Sequence, residues 1–407
     1  MATASLDAGL LATAASDPHR VVFRDERGAF TAAEFAVRAY LLGQLIGQRT
    51  SATTVGVCMP SCKEYPLAAF AVFFAGKTLV PINFLLHPRE LQHVVADSGL
   101  DLIVASSHFR RLLEPLNVDT LFIEELADMP APDAPVRPVA SKAADVAALL
   151  YTSGTTSLPK GVRLGHDNLL AQTSSIAEGI SEAGISLSEF NILSALPLFH
   201  TFAFTVCVVL PALTPARVAY LPQFDPASML EGMKRYDANV MLAVPSMFRM
   251  ISRAALRARV TGNDLGLRLA IAGGERLPPE VAAEFNKVFG MPLYEGFGLT
   301  EHGPVVSVNL PGSHRPGSIG RPLPGVQWRI VDDTRTPVDA GAGKEGELQI
   351  RSASVMRGYH GAHEQPFTTD GWLKTGDLAR LDADGFAHIT GRIKELIISA
   401  GKNIHPS

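Results

Sequence analysis

Short apolar runs alternate with amphipathic stretches along most of the chain. Residues 54–59 (TVGVCM) are valine-rich and stop at Pro60, the pattern of a buried strand. Residues 65–76 follow as a helix with small and aromatic residues on its inner side. Next come a strand at 78–82 (TLVPI), an amphipathic helix at 87–98 with proline in its first turn, and a strand at 100–105 (LDLIVA). A proline- and alanine-rich linker covers 132–142, and strands recur at 149–153, 192–196, 238–244 and 268–272. Such alternation predicts parallel sheets covered by helices on both faces. From Gly317 onward strands follow one another directly, at 326–331, 346–350, 378–381 and 386–390, with turn residues between them. That stretch predicts a smaller, mostly β subdomain.

Composition narrows the partners. The 407 residues allow about two or three folding units. The formal net charge of -4, from 36 basic and 40 acidic residues, offers no basic field for nucleic acid. The longest apolar runs, 66–75 and 202–213, fall well short of the roughly 20 residues a membrane span needs, and Pro211 interrupts the second. They read as core. Residues 1–19 lack a signal-peptide pattern, so a cytoplasmic protein is expected. The three cysteines, Cys58, Cys62 and Cys207, make no disulfide framework and read as buried thiols.

Candidate chemistry begins at YTSGTTSLPKGV, residues 151–162. Successive N–H groups of such a turn form an anion-binding concavity. Gly154 frees the backbone, Thr152, Ser153, Thr155 and Thr156 add hydroxyl donors, and Lys160 adds a point charge. Triphosphate is the natural guest. Lys160 precedes Gly161, so this is not a Walker A loop. A Ser/Thr-rich surface loop is the competing reading. In LYEGFGLTE (293–301), Gly296 and Gly298 flank Phe297, letting backbone approach a flat ligand while the ring stacks on it. Glu301 beside phosphate oxygens suits Mg²⁺. A plain turn capped by Thr300 weighs equally. Asp377, in TGDL (375–378), can accept two ribose hydroxyls or be a turn aspartate. Arg392, in GRIKE (391–395), can donate to ribose or phosphate, although a charged surface turn is the better reading of that segment alone. His200 lies among aromatics in LPLFHTFAF (196–204), where a core histidine is the default.

In order along the chain, YTSGTTSLPKGV, LPLFHTF, AGGERLPPEV, YEGFGLTE, GELQIR, TGDLARLDADG and GRIKELIISAGKNIHP resemble the adenylate-forming superfamily. It comprises acyl- and aryl-CoA synthetases, adenylation domains of peptide synthetases and beetle luciferases. The resemblance covers essentially the whole chain. It implies an α/β fold, with two parallel-type β-sheets covered by helices (αβαβα) and a smaller distorted β-barrel. The implied large domain is 1–391, with interleaved subdomains near 1–210, 211–316 and 317–391, and 392–407 would be a hinge and the stub of a C-terminal domain. It implies that 152–160 holds the β- and γ-phosphates, that Gly273, Gly274 and Glu275 line the adenine pocket, and that Phe297 stacks on adenine with Glu295 and Gly296 at its edge. Thr300 would touch the α-phosphate, Glu301 would bind Mg²⁺, and Asp377 and Arg392 would hold the ribose. His200 would sit where acyl and nucleotide pockets meet, and Lys394 at the hinge.

The resemblance therefore implies ATP-dependent activation of a carboxylic acid to an acyl-adenylate, with AMP as a product and CoA as the thiol co-substrate. Ser157 stands where most members have glycine. Related enzymes continue for on the order of 100 residues beyond the hinge. The expectation is therefore a large domain without its mobile partner, which binds nucleotide but turns over poorly. Two alternatives stay open: a module or CoA ligase that accepts preformed acyl-AMP, and a ligase that loads a carrier protein. The oligomeric state is open, a dimer among the options. Phe199, Phe202, Phe204, Val244, Met247, Leu299, Val305 and Val306 lie in or near the segments that line the acid pocket in relatives, and His302 is a candidate neighbour. Residues 202–209 hold no aspartate for an amino-acid ammonium, so an apolar acid is expected: fatty, aryl or alicyclic.

Overall fold

A computed structural model describes residues 5–126, 136–137, 141–152, 158–332, 334, 336–338, 341, 343–361, 365–395, 397–399 and 402–404, with side chains described as far as Lys394. A six-stranded sheet runs, in spatial order, Asp119–Phe122, Leu102–Ala105, Thr54–Cys58, Thr78–Pro81, Val146–Thr152 and Lys160–Gly165. All of its pairs are parallel except the last. A nine-stranded sheet runs Arg321–Pro322, Val305–Val308, Tyr294–Gly298, Leu269–Ala272, Val240–Ala243, Asn191–Ser194, Arg217–Tyr220, Val21–Asp25 and Gly28–Thr31. It is parallel from Tyr294–Gly298 through Val21–Asp25, with antiparallel edges. A five-stranded antiparallel sheet follows in the chain, ordered Pro337–Val338, Gln327–Val331, Gly346–Arg351, Leu373–Leu381 and Ala387–Arg392. The expected α/β class, with parallel sheets and a β-rich stretch late in the chain, is what is seen.

Local sequence explains the elements that frame the site. Helix Ala32–Arg49 starts at a reciprocal cap, Thr31 accepting from the Glu34 N–H while the Glu34 carboxylate accepts from the Thr31 N–H. Its neighbour Glu64–Phe74, predicted at 65–76, is buried from Tyr65 to Phe74. The two approach closely at Gly43, where a Cβ would lie 2.7 Å from the Phe74 Cβ. Helix Pro88–Ser98 stops at Gly99, whose φ of 66° suits a residue without a Cβ.

The apolar run 202–213 is one helical passage: Thr201–Phe204, a wide π turn over Thr205–Val209, then Leu210–Leu213. Pro211 explains part of this. It has no N–H to offer the Cys207 carbonyl four residues back, and the buried Tyr220 hydroxyl donates to that carbonyl instead. The three cysteines are free and buried. Burial pushes each thiol up to about 12. Among the described residues, no helix is long and apolar enough to cross a membrane.

Candidate active site

Parallel strands end on a common side, and the turns beyond their carboxyl ends are where α/β sheets place ligands. In the nine-stranded sheet those turns carry Pro197 and His200 after Asn191–Ser194, Val244 after Val240–Ala243, Gly273 to Glu275 after Leu269–Ala272, and Leu299 with Thr300 after Tyr294–Gly298. All of them line one cavity of about 530 Å³.

Its lining is of two chemical kinds. One is built of backbone and a ring: Gly273, Gly274, Gly296, Phe297 and Gly298. Gly274 has φ +84°, a conformation that disfavours any side chain. At Gly298 a Cβ would lie 2.3 Å from the Pro304 carbonyl, so the strand can pair with Val305–Val308 there only as glycine. The other is aliphatic and aromatic, and includes Ile176, Ile180, Phe190, Leu210, Leu242 and Leu323. Among the described lining residues there is no lysine, arginine or aspartate, and Glu275 is the one acid.

His200 and Thr300 line the same cavity. His200 keeps surface open to the cavity, yet its apolar surroundings desolvate the ring and lower its pKa. Thr201 donates its hydroxyl to the Thr300 hydroxyl at 3.0 Å, which leaves the Thr300 proton free to point elsewhere.

A second cluster adjoins Thr300. The Tyr359 hydroxyl donates to Glu301 Oε1 at 2.8 Å. On the ring side, Lys160 Nζ stands 5.5 Å from the Tyr359 ring centroid, a cation–π arrangement. Burial, then the Glu301 charge, push the phenol well above its ordinary pKa, so Tyr359 stays a donor at any working pH. Backbone pairing of Tyr359 with Val162 fixes it against the strand that begins at Lys160. Lys160 in turn pairs with Thr152, the two ends of a hairpin that spans the hydroxyl loop. Ser153, Gly154, Thr155, Thr156 and Ser157 lie outside the described residues.

Among the described residues no three His, Cys, Asp or Glu gather as a metal site. A cation beside Glu301 would take its other ligands from phosphate and water, the way Mg²⁺ is usually held, while Tyr359 fixes the carboxylate through Oε1. The donor set fits that ion.

Several expected residues sit elsewhere. Glu295 does not line the cavity: its buried carboxylate accepts the Leu277 N–H at 3.0 Å, tying down the 273–277 turn, and burial raises its pKa. His302 is a correction. It is fully buried, pairs through Nε2 with the Ser352 hydroxyl at 2.8 Å, and desolvation pulls its pKa down to about 3; it does not line the cavity. Phe204 is likewise in the core behind Phe202 and Ala203, which do line it, and neither Phe199 nor Val306 reaches the wall. Phe202, Met247, Leu299 and Val305 do. Asp377 and Arg392 are cross-strand partners in the five-stranded sheet, with Arg392 Nε donating to Asp377 Oδ1 at 2.8 Å, and neither lines the cavity. Lys394 is exposed in the short turn Ile393–Glu395 just after them. Sequence reasoning missed Thr201, Tyr359 and the Ile176, Ile180, Phe190 and Leu323 wall. For Tyr359 no motif signal existed; for the isoleucines, spacing on an amphipathic helix reads as ordinary core.

A cavity lined in part by glycine backbone and Phe297 and in part by apolar side chains, with Thr300 in its wall and the Glu301–Tyr359–Lys160 cluster beginning at the next residue, is the arrangement expected of a protein of the adenylate-forming class. The chain matches the family model described as "AMP-binding enzyme" over residues 10–360, and it belongs to that family, as an acyl-CoA synthetase-like member. It is 33% identical over 426 residues to a long-chain-fatty-acid–CoA ligase of Yersinia pestis, covering 91% of this chain and 73% of that one. It is 32% identical over 403 residues to a feruloyl-CoA synthase of Amycolatopsis sp., covering 96% and 79%. Its fold superposes on o-succinylbenzoate coenzyme A synthetase (MenE) from Bacillus subtilis in complex with ATP and magnesium ion, at a TM-score of 0.86 and 27% identity, covering 98% of this chain and 82% of that one.

Proposed function

We propose that this protein activates an apolar monocarboxylic acid with ATP, and that the resulting acyl-adenylate goes on to CoA. The observation that carries the reading is one cavity whose lining combines glycine backbone and Phe297, suited to a purine, with an apolar wall that holds no lysine or arginine among the described residues. An acid with a second negative charge would need a cation in that wall.

In this reading Phe297 stacks on adenine against Gly273 and Gly274, with Glu275 at the rim. Asp377 and Arg392 turn from each other to the ribose hydroxyls. The Arg392 side chain is 64% exposed and free to swing, whereas the Asp377 side chain is 5% exposed, so the exchange is favourable only if ribose hydroxyls replace the bond its carboxylate gives up. Lys160 and the hydroxyl loop from Thr152 hold the β- and γ-phosphates, and the Thr300 hydroxyl, oriented by Thr201, donates to the α-phosphate. Glu301 would hold Mg²⁺, which would supply charge neutralisation at the phosphates. A substrate carboxylate oxygen then attacks the α-phosphorus in line; the bond from phosphorus to the pyrophosphate oxygen breaks and its electrons leave with pyrophosphate. Negative charge grows on the nonbridging oxygens, and fixed donors stabilise it where water is excluded. A neutral His200 borders the acid without competing for its charge. A thiol sulfur next attacks the acyl carbon, expelling AMP. Residues 1–391 form the adenylating unit and Lys394 the pivot.

Relatives that are long-chain-fatty-acid and feruloyl ligases support the reaction type. The test is acid-dependent exchange of labelled pyrophosphate into ATP. Exchange should appear with apolar monocarboxylates and fall at least about 10²-fold in Thr300→Val, the cost of losing one transition-state donor. If no acid supports exchange, and stable acyl-adenylate mimics do not bind, the assignment is wrong.

A further inference from the structure

The apolar part of the cavity lining is backed by core. Ile176 and Ile180 come from helix His166–Glu182, and Phe190, Leu210 and Leu323 close in around them. Each of these side chains keeps at most 7% of its surface accessible. A chamber lined by such residues ends inside the protein.

The floor is also fastened. On the inner face of the helix, Gln172 Nε2 donates to the Val305 carbonyl at 3.1 Å, Ser175 Oγ to the Pro324 carbonyl at 2.6 Å, and Asn168 Nδ2 to the Ala353 carbonyl at 2.8 Å. At Gly179 the helix meets the opposing loop so closely that a Cβ would lie 2.8 Å from Leu323 Cδ2. That loop is held by the Leu323 N–H donating to the Val306 carbonyl at 2.9 Å. Moving the helix aside would break these bonds and expose its apolar face, so a longer guest cannot push the floor back cheaply.

The volume agrees. A cavity of about 530 Å³ is of the size that holds one drug-sized molecule, within a range of roughly 300–1,000 Å³. Adenosine takes the glycine-lined part, and what remains suits an acyl group of similar bulk.

We infer that Ile180, Phe190 and Leu323 form a fixed floor that limits the acid to compact apolar monocarboxylates, of the extent of octanoate or cinnamate, and excludes long-chain fatty acids. This rests on the proposed acid activation at the same site. Each methylene that fits should improve recognition roughly fourfold, and each one beyond the floor should reverse the trend, because overpacking a close-packed wall is unfavourable.

The experiment measures binding of nonhydrolysable acyl-sulfamoyl adenosines, from butanoyl to hexadecanoyl and including cinnamoyl, each as a ratio to AMP in the same protein. The wild type should tighten up to a medium chain, bind cinnamoyl comparably, and lose at least tenfold by hexadecanoyl. Ile180→Ala and Leu323→Ala, on different elements so that one misfolding does not end the test, should move the optimum to longer chains; Ile180→Phe should move it shorter. Steady tightening through hexadecanoyl overturns the floor, as does a profile that neither alanine variant shifts. If no acyl mimic binds better than AMP, the acid-activation reading itself fails, a separate result.

Discussion

Tyr359 touches both charged groups expected to meet the phosphates, holding Glu301 by its hydroxyl and carrying Lys160 over its ring. A carboxylate that must meet a metal gains from having one oxygen fixed, and removing such an outer partner typically weakens metal binding 10- to 100-fold. Tyr359→Phe keeps the ring and deletes only the hydroxyl. Magnesium titration of nucleotide binding, followed by thermal shift, should give a half-saturation at least about tenfold higher in this variant, with metal-free nucleotide binding little changed. Equal half-saturation in both proteins would show that Glu301 needs no such holder. The glycines around Phe297 announced themselves because only glycine permits close backbone approach at Gly298. Tyr359 and Thr201 did not, because a tyrosine in a loop and a threonine opening a helix are ordinary until their partners, distant in sequence, are known.

Among elements, the strands read most directly. The predicted 54–59, 78–82 and 268–272 became Thr54–Cys58, Thr78–Pro81 and Leu269–Ala272, because buried parallel strands are continuous apolar runs. Strands such as Val21–Asp25 and Lys160–Gly165 were not anticipated: charged or glycine positions interrupt their apolar pattern, and sheet neighbours rather than composition hold them. The helix at the cavity floor is tied to the first helix of the chain by His166, whose buried Nδ1 accepts the Leu6 N–H at 3.2 Å; its proton therefore sits on Nε2. Burial lowers the His166 pKa, partly opposed by Asp7, Asp145 and Asp167. The unfolded ring protonates near an ordinary value of about 6.5 and the folded ring only below it. Between those values the unfolded chain binds more protons, so stability must fall as pH drops below about 6.5, by up to about 1.4 kcal/mol per pH unit from this group. Urea unfolding at pH 7 and pH 5 should show the loss, and His166→Gln should make the slope shallower while leaving the part due to the buried His302. An unchanged pH slope in the variant would assign the effect to other groups.

On the scale of the whole molecule, the site belongs to no single sheet. In the proposed reading, the nine-stranded sheet and its turns supply the slot, helix His166–Glu182 adds to the chamber wall, the six-stranded sheet would bring Lys160, and the five-stranded sheet would bring Asp377. A ligand spanning these parts should therefore stabilise the fold as a unit. An acyl-adenylate mimic at 100 times its dissociation constant adds about 2.7 kcal/mol to the folded state, and its melting-temperature shift should exceed that of AMP at equal concentration. Equal shifts for the two would mean that the apolar chamber goes unused.

The buried cysteines have a bearing on chemical fidelity. A mixed anhydride acylates whatever thiolate it meets, and Cys207 lies next in sequence to Val206, a residue of the chamber wall. All three thiols of this chain are buried, with burial pushing each up to about 12, so none of them is poised as a thiolate to intercept an activated acid in the proposed site.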